Sequence, residues 1–219
     1  MLADVYPALA PVVPPVARAL GIPLRLERSP GVALTFDDGP HPEGTPAVLE
    51  ILARARARGT FFVVGEQVER RPELVAEIVA AGHAVALHGH RHRLQLRLSA
   101  ATIRDDLRRG SAAIAAATGA SPRWHRPPYG AYSRPGLVAA REAGLEPLLW
   151  SRWGKDWRKF TTPGAVAARA TRDLAPGDVI LLHDADHYSS RASHRKTVRA
   201  LPAILAELKR RELDTVLPV

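Results

Sequence analysis

From residue 32 to its end, this chain repeats one alternation: a short apolar run rich in β-prone residues, then a longer segment with apolar positions at helical spacing, then another run. A strand, a crossover helix and a further strand place consecutive strands parallel with helices covering the sheet. About seven such units therefore leave a closed (β/α) barrel or a doubly wound sheet as the available architectures. The strand-like runs fall at 32–37, 60–64, 83–87, 123–125, 146–150, 178–182 and 215–219, and the helical segments between them at 45–58, 71–82, 99–118, 135–143, 162–174 and 196–211. Ser99 reads as the N-cap of the longest helix and Gly119 as its stop. No linker interrupts the alternation, so 219 residues read as one domain.

The polar residues at the strand ends choose between the two architectures. Asp37 with Asp38, His88, Arg126, Asp156 and His183 each follow the C-terminal end of a different strand, while the helices carry Ala-rich filler. A barrel converges all such ends on one mouth, whereas an open sheet gathers only those near its switch point. The expected fold is therefore α/β, a single-domain deformed (β/α) barrel with about seven parallel strands.

Ahead of the alternation, residues 1–30 are expected to form a strap packed on the body. Their apolar bias is broken by Pro7, Pro11, Pro14 and Pro15, and they carry Asp4 in place of a basic cluster, which fits neither a secretory signal nor a membrane span. On this reading the protein is cytoplasmic, or belongs to the cell envelope or exterior if the start is truncated. With no cysteine in the chain, disulfides and thiolate metal sites are excluded, and any metal must be held by His, Asp or Glu. The net charge of +9 comes almost entirely from scattered arginines, such as Arg54, Arg56 and Arg58, that read as solvated helix faces. A basic surface can gather an anionic polymer, but no nucleic-acid-binding motif accompanies it.

The chemistry is concentrated in a few stretches. Thr35-Phe36-Asp37-Asp38-Gly39-Pro40 ends a strand on two carboxylates at a turn, and alternation along the strand lets them take different jobs, one holding a metal and the other a proton; alone, it would sooner be read as a turn that happens to be acidic. In His88-Gly89-His90-Arg91-His92 one turn of helix would put the outer imidazoles on one face, with His90 pointing away. Two His and one Asp hold a divalent ion with positions open for water and substrate. A rival pair of the same spacing lies at His183 and His187, which Asp184 or Asp186 could complete; His183, directly ending an apolar strand, is better explained as an acid or base at the barrel mouth. His187, His41, His125 and His194 read as loop residues.

Taken in order, these stretches resemble the motifs of the NodB-like polysaccharide deacetylases, carbohydrate esterase family 4. Residues 35–40 are similar to the first motif, His88 and His92 to the second, Arg126-Pro127-Pro128-Tyr129-Gly130 to the third, Asp156-Trp157 to the end of the fourth, and Leu181-Leu182-His183-Asp184 to the fifth. Two departures stand out: Gly89 replaces a Ser or Thr, and Trp153 an Asp. The resemblance implies that residues 31–219 form the catalytic domain of a metal-dependent hydrolase that removes N-acetyl groups from an N-acetylated glycan, chitin-like or peptidoglycan. It further implies that Asp38, His88 and His92 hold a divalent metal, zinc first, with cobalt, manganese or nickel as alternatives. Asp37 would be the base, fixed by a bidentate pair with Arg126, and His183 the acid, oriented by Asp156. Pro127 and Tyr129 would line the groove, with a backbone N–H of that motif offered to the oxyanion, and Trp157 and Leu181 would receive the acetyl methyl. Trp157 and Leu181 also read as ordinary barrel-core residues. The other readings are O-deacetylation of a polysaccharide such as acetylxylan, iron-dependent oxygen chemistry on the same ligands, and a non-catalytic basic barrel binding glycan or nucleic acid. Intact Asp37 and His183 argue against the last.

Overall fold

The computed structural model of the protein describes residues 6–218; the first five residues of the expected strap and Val219 of the expected last strand lie outside the described residues. Seven strands form one parallel sheet: β1 (Ala33–Asp37), β2 (Thr60–Val63), β3 (Ala84–Leu87), β4 (Trp124–His125), β5 (Glu146–Pro147), β6 (Arg152–Trp153) and β7 (Val179–His183), in the order β5-β4-β3-β2-β1-β7-β6. The sheet curls into the deformed (β/α) barrel the alternation implies, with β2 at its centre and β1 between β2 and β7.

The helices that cover it are α1 (Pro14–Ala19), α2 (Gly44–Ala55), α3 (Gly65–Arg70), α4 (Pro72–Ala80), α5 (Ala100–Thr118), α6 (Arg134–Glu142), α7 (Pro163–Ala170) and α8 (His194–Arg210). Side-chain oxygens start three of them: Ser99 accepts the Thr102 N–H at 3.2 Å, Ser133 that of Gly136 at 3.1 Å and Thr162 that of Ala165 at 3.2 Å. Among the described residues no helix is long and apolar enough to cross a membrane.

Several elements differ from the sequence expectation. α3 was hidden because it is six residues long and Val68 is its one large apolar side chain, too few for a period. Pro72 then forces Arg71 out of the helical region, to φ −147° and ψ 59°, and α4 starts afresh. The strand expected at 146–150 stops at Pro147; Leu149 instead donates its N–H to Pro23 O at 3.0 Å and Ser151 to Val179 O at 3.1 Å, leading into the unexpected two-residue β6. Of the strand expected at 215–219, the described residues 215–218 form a single bridge, between Val32 and Thr215, since Pro218 has no N–H to continue a ladder. α2 ends at Ala55, with Arg56 in the left-handed region, and α7 at Ala170. His125 lies buried in β4 and His194 opens α8, so neither is a loop residue.

The segment ahead of β1 shares the core. Ala10, Val16, Ala17 and Ile22 pack with the barrel residues, Leu26 donates to Gly177 O at 2.8 Å, and Arg25 pairs with the fully buried Asp178.

Candidate active site

Side-chain alternation along β1 splits its residues between two faces. Phe36 stacks on Phe61 with ring centroids 5.0 Å apart, whereas Thr35 and Asp37 face Arg126. The β1–β7 register sets Asp37 beside His183 and Thr35 beside Leu181. A carboxylate and an imidazole thus end adjacent strands side by side.

Arg126 is wholly buried, and each of its three guanidinium nitrogens donates a hydrogen bond. Its Nε donates to Leu148 O at 3.0 Å, Nη2 to Leu149 O at 2.8 Å, and Nη1 to both Thr35 Oγ1 at 2.9 Å and Asp37 Oδ1 at 2.7 Å, with the guanidinium 3.9 Å above the Phe62 ring. The pair with Asp37 is therefore not bidentate as expected: the other nitrogens are spent on carbonyls just beyond the end of β5. Asp37 Oδ2 stays uncommitted to Arg126 and lies 3.8 Å from His88 Nε2.

Asp38 leaves the strand direction at φ 79°, a region Asp tolerates better than most residues. Its Oδ1 is buried, accepts no hydrogen bond, and lies 3.4 Å from His88 Nε2 and 3.3 Å from His92 Nε2. Four-coordinate zinc with bonds of about 2.0–2.1 Å needs its ligand atoms about 3.3 Å apart, so the spacing fits such an ion. His88 Nδ1 donates to Arg126 O at 2.8 Å, which fixes the proton on the far nitrogen and leaves the Nε2 lone pair facing Asp38. The three donor atoms lie within 4.8 Å of one another.

The two histidines do not share a helix. Residues 88–92 form an irregular turn, entered through Gly89 at φ 84°, and folding back rather than one helical pitch brings the rings together. Glycine takes that φ without the strain a Cβ would bring. His92 lies flat on Tyr188, centroids 4.3 Å apart and planes 7° apart, and meets Tyr129 edge-on at 4.7 Å. His90 points away, its Nδ1 3.9 Å from Glu69 Oε1.

His183 is held by Asp156, which is itself buried. Asp156 Oδ1 lies 2.9 Å from His183 Nδ1, and its Oδ2 accepts the His183 backbone N–H at 2.7 Å and the Thr197 hydroxyl at 2.6 Å. Burial would lower the imidazole, but Asp156 first, then Asp38 and Asp37, push it up to about 10. Trp157 meets His183 edge-on, centroids 5.3 Å apart.

Asp37, Asp38, His88, His92, Tyr129, Trp157, Leu181 and His183 line one cavity of about 240 Å³ at the mouth. Arg126 and Asp156 stand behind Asp37 and His183. Pro127 does not line it; its carbonyl accepts the Gly130 N–H at 2.8 Å and turns the segment. Arg126 N–H goes to Leu87 O and neither proline has an N–H, so the Tyr129 amide is the candidate oxyanion donor of that segment. Sequence reasoning missed Trp150, Tyr188 and Ser189 in the cavity wall, and Trp153 lines it too, in tilted contact with Trp150 and Trp157.

The rival pair does not form. His187 groups instead with His41 and Asp186, donor atoms within 4.8 Å, and His194 Nδ1 lies 3.6 Å from Asp186 Oδ1. Asp184 turns away to accept the Thr45 hydroxyl, and burial raises its carboxyl to about 7.

The polysaccharide deacetylase family profile matches residues 27–148. A chitooligosaccharide deacetylase of Bradyrhizobium sp. (strain ANU 289) is 38% identical over 192 residues, covering 84% of this chain and 86% of its own. A peptidoglycan-N-acetylglucosamine deacetylase of Bacillus cereus is 35% identical over 181 residues, 82% of each chain. A family 4 carbohydrate esterase from Streptomyces lividans, solved in complex with acetate, superposes with a TM-score of 0.77 at 32% identity, covering 86% of this chain and 93% of its own.

Proposed function

The chain belongs to the polysaccharide deacetylase family, and from that premise we propose that it removes acetyl from N-acetylglucosamine units of a glycan polymer or oligomer, with Asp38, His88 and His92 holding a divalent ion, zinc first. When bound, such an ion supplies a water acidified to a pKa of about 7 and a sink for carbonyl charge. The observation that carries the reading is the buried, unpartnered Asp38 Oδ1 at ligand spacing from two imidazoles, beside a second carboxylate and a carboxylate-held histidine.

The other residues divide the proton traffic. Asp37 takes the proton of the attacking water on Oδ2, while Arg126 holds Oδ1 and fixes the carboxylate's angle. The Tyr129 amide faces the oxygen that gains charge as the carbonyl turns tetrahedral. As the C–N bond breaks, His183 gives the Nε2 proton to the departing amine, Asp156 holding its Nδ1–H and so its ring plane. Trp157 and Leu181 leave the acetyl methyl an apolar wall and keep water from it. The products are acetate and a glucosamine unit.

Acetate release from chitooligosaccharides, peptidoglycan and acetylxylan, measured before and after chelation and with zinc, cobalt, manganese or nickel restored, tests the proposal. We expect release from an N-acetylated glycan that chelation stops and a metal restores. Release from acetylxylan alone would move the function to O-deacetylation, and release indifferent to chelation would end the metal reading.

A further inference from the structure

The loop that carries both histidines is gripped from two sides by groups that touch no substrate. On one side, the first amides of α3 donate to it: Gly65 N–H to Gly89 O and Glu66 N–H to His90 O, each at 2.9 Å. On the other, Asp106 of α5 accepts the His90 N–H at 2.8 Å on Oδ2 and the Arg91 N–H at 3.2 Å on Oδ1, and Arg93 Nη2 reaches the same Oδ1 at 3.1 Å. Asp106 is 8% exposed, and it lies on the buried stripe of its helix with Ile103, Leu107, Gly110 and Ile114. An ionised side chain in an apolar stripe costs stability unless its oxygens are occupied, and here both are occupied by the loop.

We infer that Asp106 is the positioning residue for the metal loop. It fixes the backbone of residues 90 and 91 so that His88 and His92 face Asp38 before any ion arrives. The inference rests on the reading of His88 and His92 as ligands. The departure at Gly89 supports it: a Cβ there would lie 3.0 Å from Asp106 Oδ2, so a Ser or Thr at 89 and this carboxylate compete for one space. The bracing that a side chain at 89 would give from within the loop comes instead from the neighbouring helix. Gly110 allows the approach, since a Cβ at that position would meet Leu87 Cδ1 at 2.6 Å, His90 N at 3.1 Å and Gly89 C at 3.2 Å.

The test is Asp106→Asn, which keeps shape and one acceptor but cannot accept both amides. Zinc affinity is read by competition with a chromophoric chelator, and cobalt(II) by its visible absorption, on protein whose metal-free circular dichroism matches the parent. We expect zinc affinity to fall about 10–100-fold, the usual effect of losing a group that orients a ligand, with an altered cobalt spectrum. Arg93→Ala, which spares both amide bonds, should keep affinity within a few-fold of the parent. His88→Ala separates the two ideas. If it binds zinc as the parent does, the ligand reading fails. If it loses zinc while Asp106→Asn binds with parental affinity and spectrum, the positioning role alone is wrong. Should Asp106→Asn not fold, Gly110→Ala pushes α5 off the same loop: a similar fall in affinity supports the role, and parental affinity overturns it.

Discussion

Two clusters of imidazole and carboxylate sit at this barrel mouth, Asp38 with His88 and His92, and Asp186 with His41, His187 and His194, and the far nitrogen of one ring tells them apart. His88 Nδ1 donates to a carbonyl, so its Nε2 offers a lone pair toward Asp38. His41 Nδ1 accepts the Glu43 and Gly44 amides at 3.2 and 3.0 Å, so the neutral ring carries its proton on Nε2, which faces Asp186 Oδ1 at 3.2 Å. His187 points Nε2 at Pro40 O, 3.3 Å away, and keeps only Nδ1 free. The first cluster offers a cation three electron pairs; the second meets it with a proton. Residue type is alike in the two, and the backbone partner of the outer ring nitrogen leaves one ring free to offer a lone pair to a cation and ties the other to the amides that open α2.

Exchange of one histidine in each cluster would break that contrast most directly. His88→Ala should lose the bound ion and, with it, all measurable deacetylation, whereas His187→Ala should keep metal content near the parent value. Metal analysis after gel filtration decides it, and the reverse outcome would mean that the wrong cluster has been chosen as the ion site.

The carboxylates sharpen it next. Asp37→Asn cannot accept the water's proton yet leaves the ligands alone, so it should stay folded and metal-loaded while kcat falls on the order of 10²–10⁴. Asp38→Asn should lose ion and rate together. Asp186→Asn, in the second cluster, should change kcat by less than about tenfold. Paired metal content and rate for the three variants check the division of roles, which an active Asp37→Asn would refute.

His183 ends the strand that leads into the second cluster, yet it faces the first. His183→Ala should lose a comparable factor, about 10²–10⁴, on the amide, where the leaving amine needs a proton, and much less on an activated aryl acetate, where the leaving group needs none. His187→Ala should show no such split. Kinetics on both substrates test this, and an equal defect on the two would deny His183 the acid's role.

How much of this the chain discloses before folding depends on whether the signal is local. Asp37 and Asp38 ending an apolar strand, and His88 and His92 four apart, are legible because strand period and spacing are local. Spacing alone does not disclose the turn that joins the histidines, because a four-residue interval suits one helical turn and an irregular turn alike, and only the backbone shows Gly89 at φ 84°. β6 is two residues long and is defined only by its pairing with β7. Tyr188 lies in a loop with no period at all, and what places it is contact with His92, Glu66 and Gln67 from elsewhere in the chain. Asp106 did leave a trace, one acid on the apolar stripe of α5.

The smallest expected effect belongs to the second cluster and concerns stability. Burial first, then the neighbouring His194 and His187, pull the His41 imidazole from 6.5 down to about 4. Between those values the unfolded chain binds a proton that the folded chain refuses, so the stability His41 confers is whole above pH 6.5 and is lost as pH falls toward 4. For a ring near the surface the loss is about 1–2 kcal/mol once solvent screening is counted, or roughly 2–4 °C in Tm per kcal/mol for a chain of this size. His41→Asn keeps an acceptor for the α2 amides and removes the titration, because an Asn oxygen can cap as the ring nitrogen does. Its Tm should lie near the parent's at pH 7.5 and fall less than the parent's by pH 4.5. Parallel melting curves for the two proteins across that range would show that His41 does not carry the acid sensitivity, and that its place beside Asp186 is only packing.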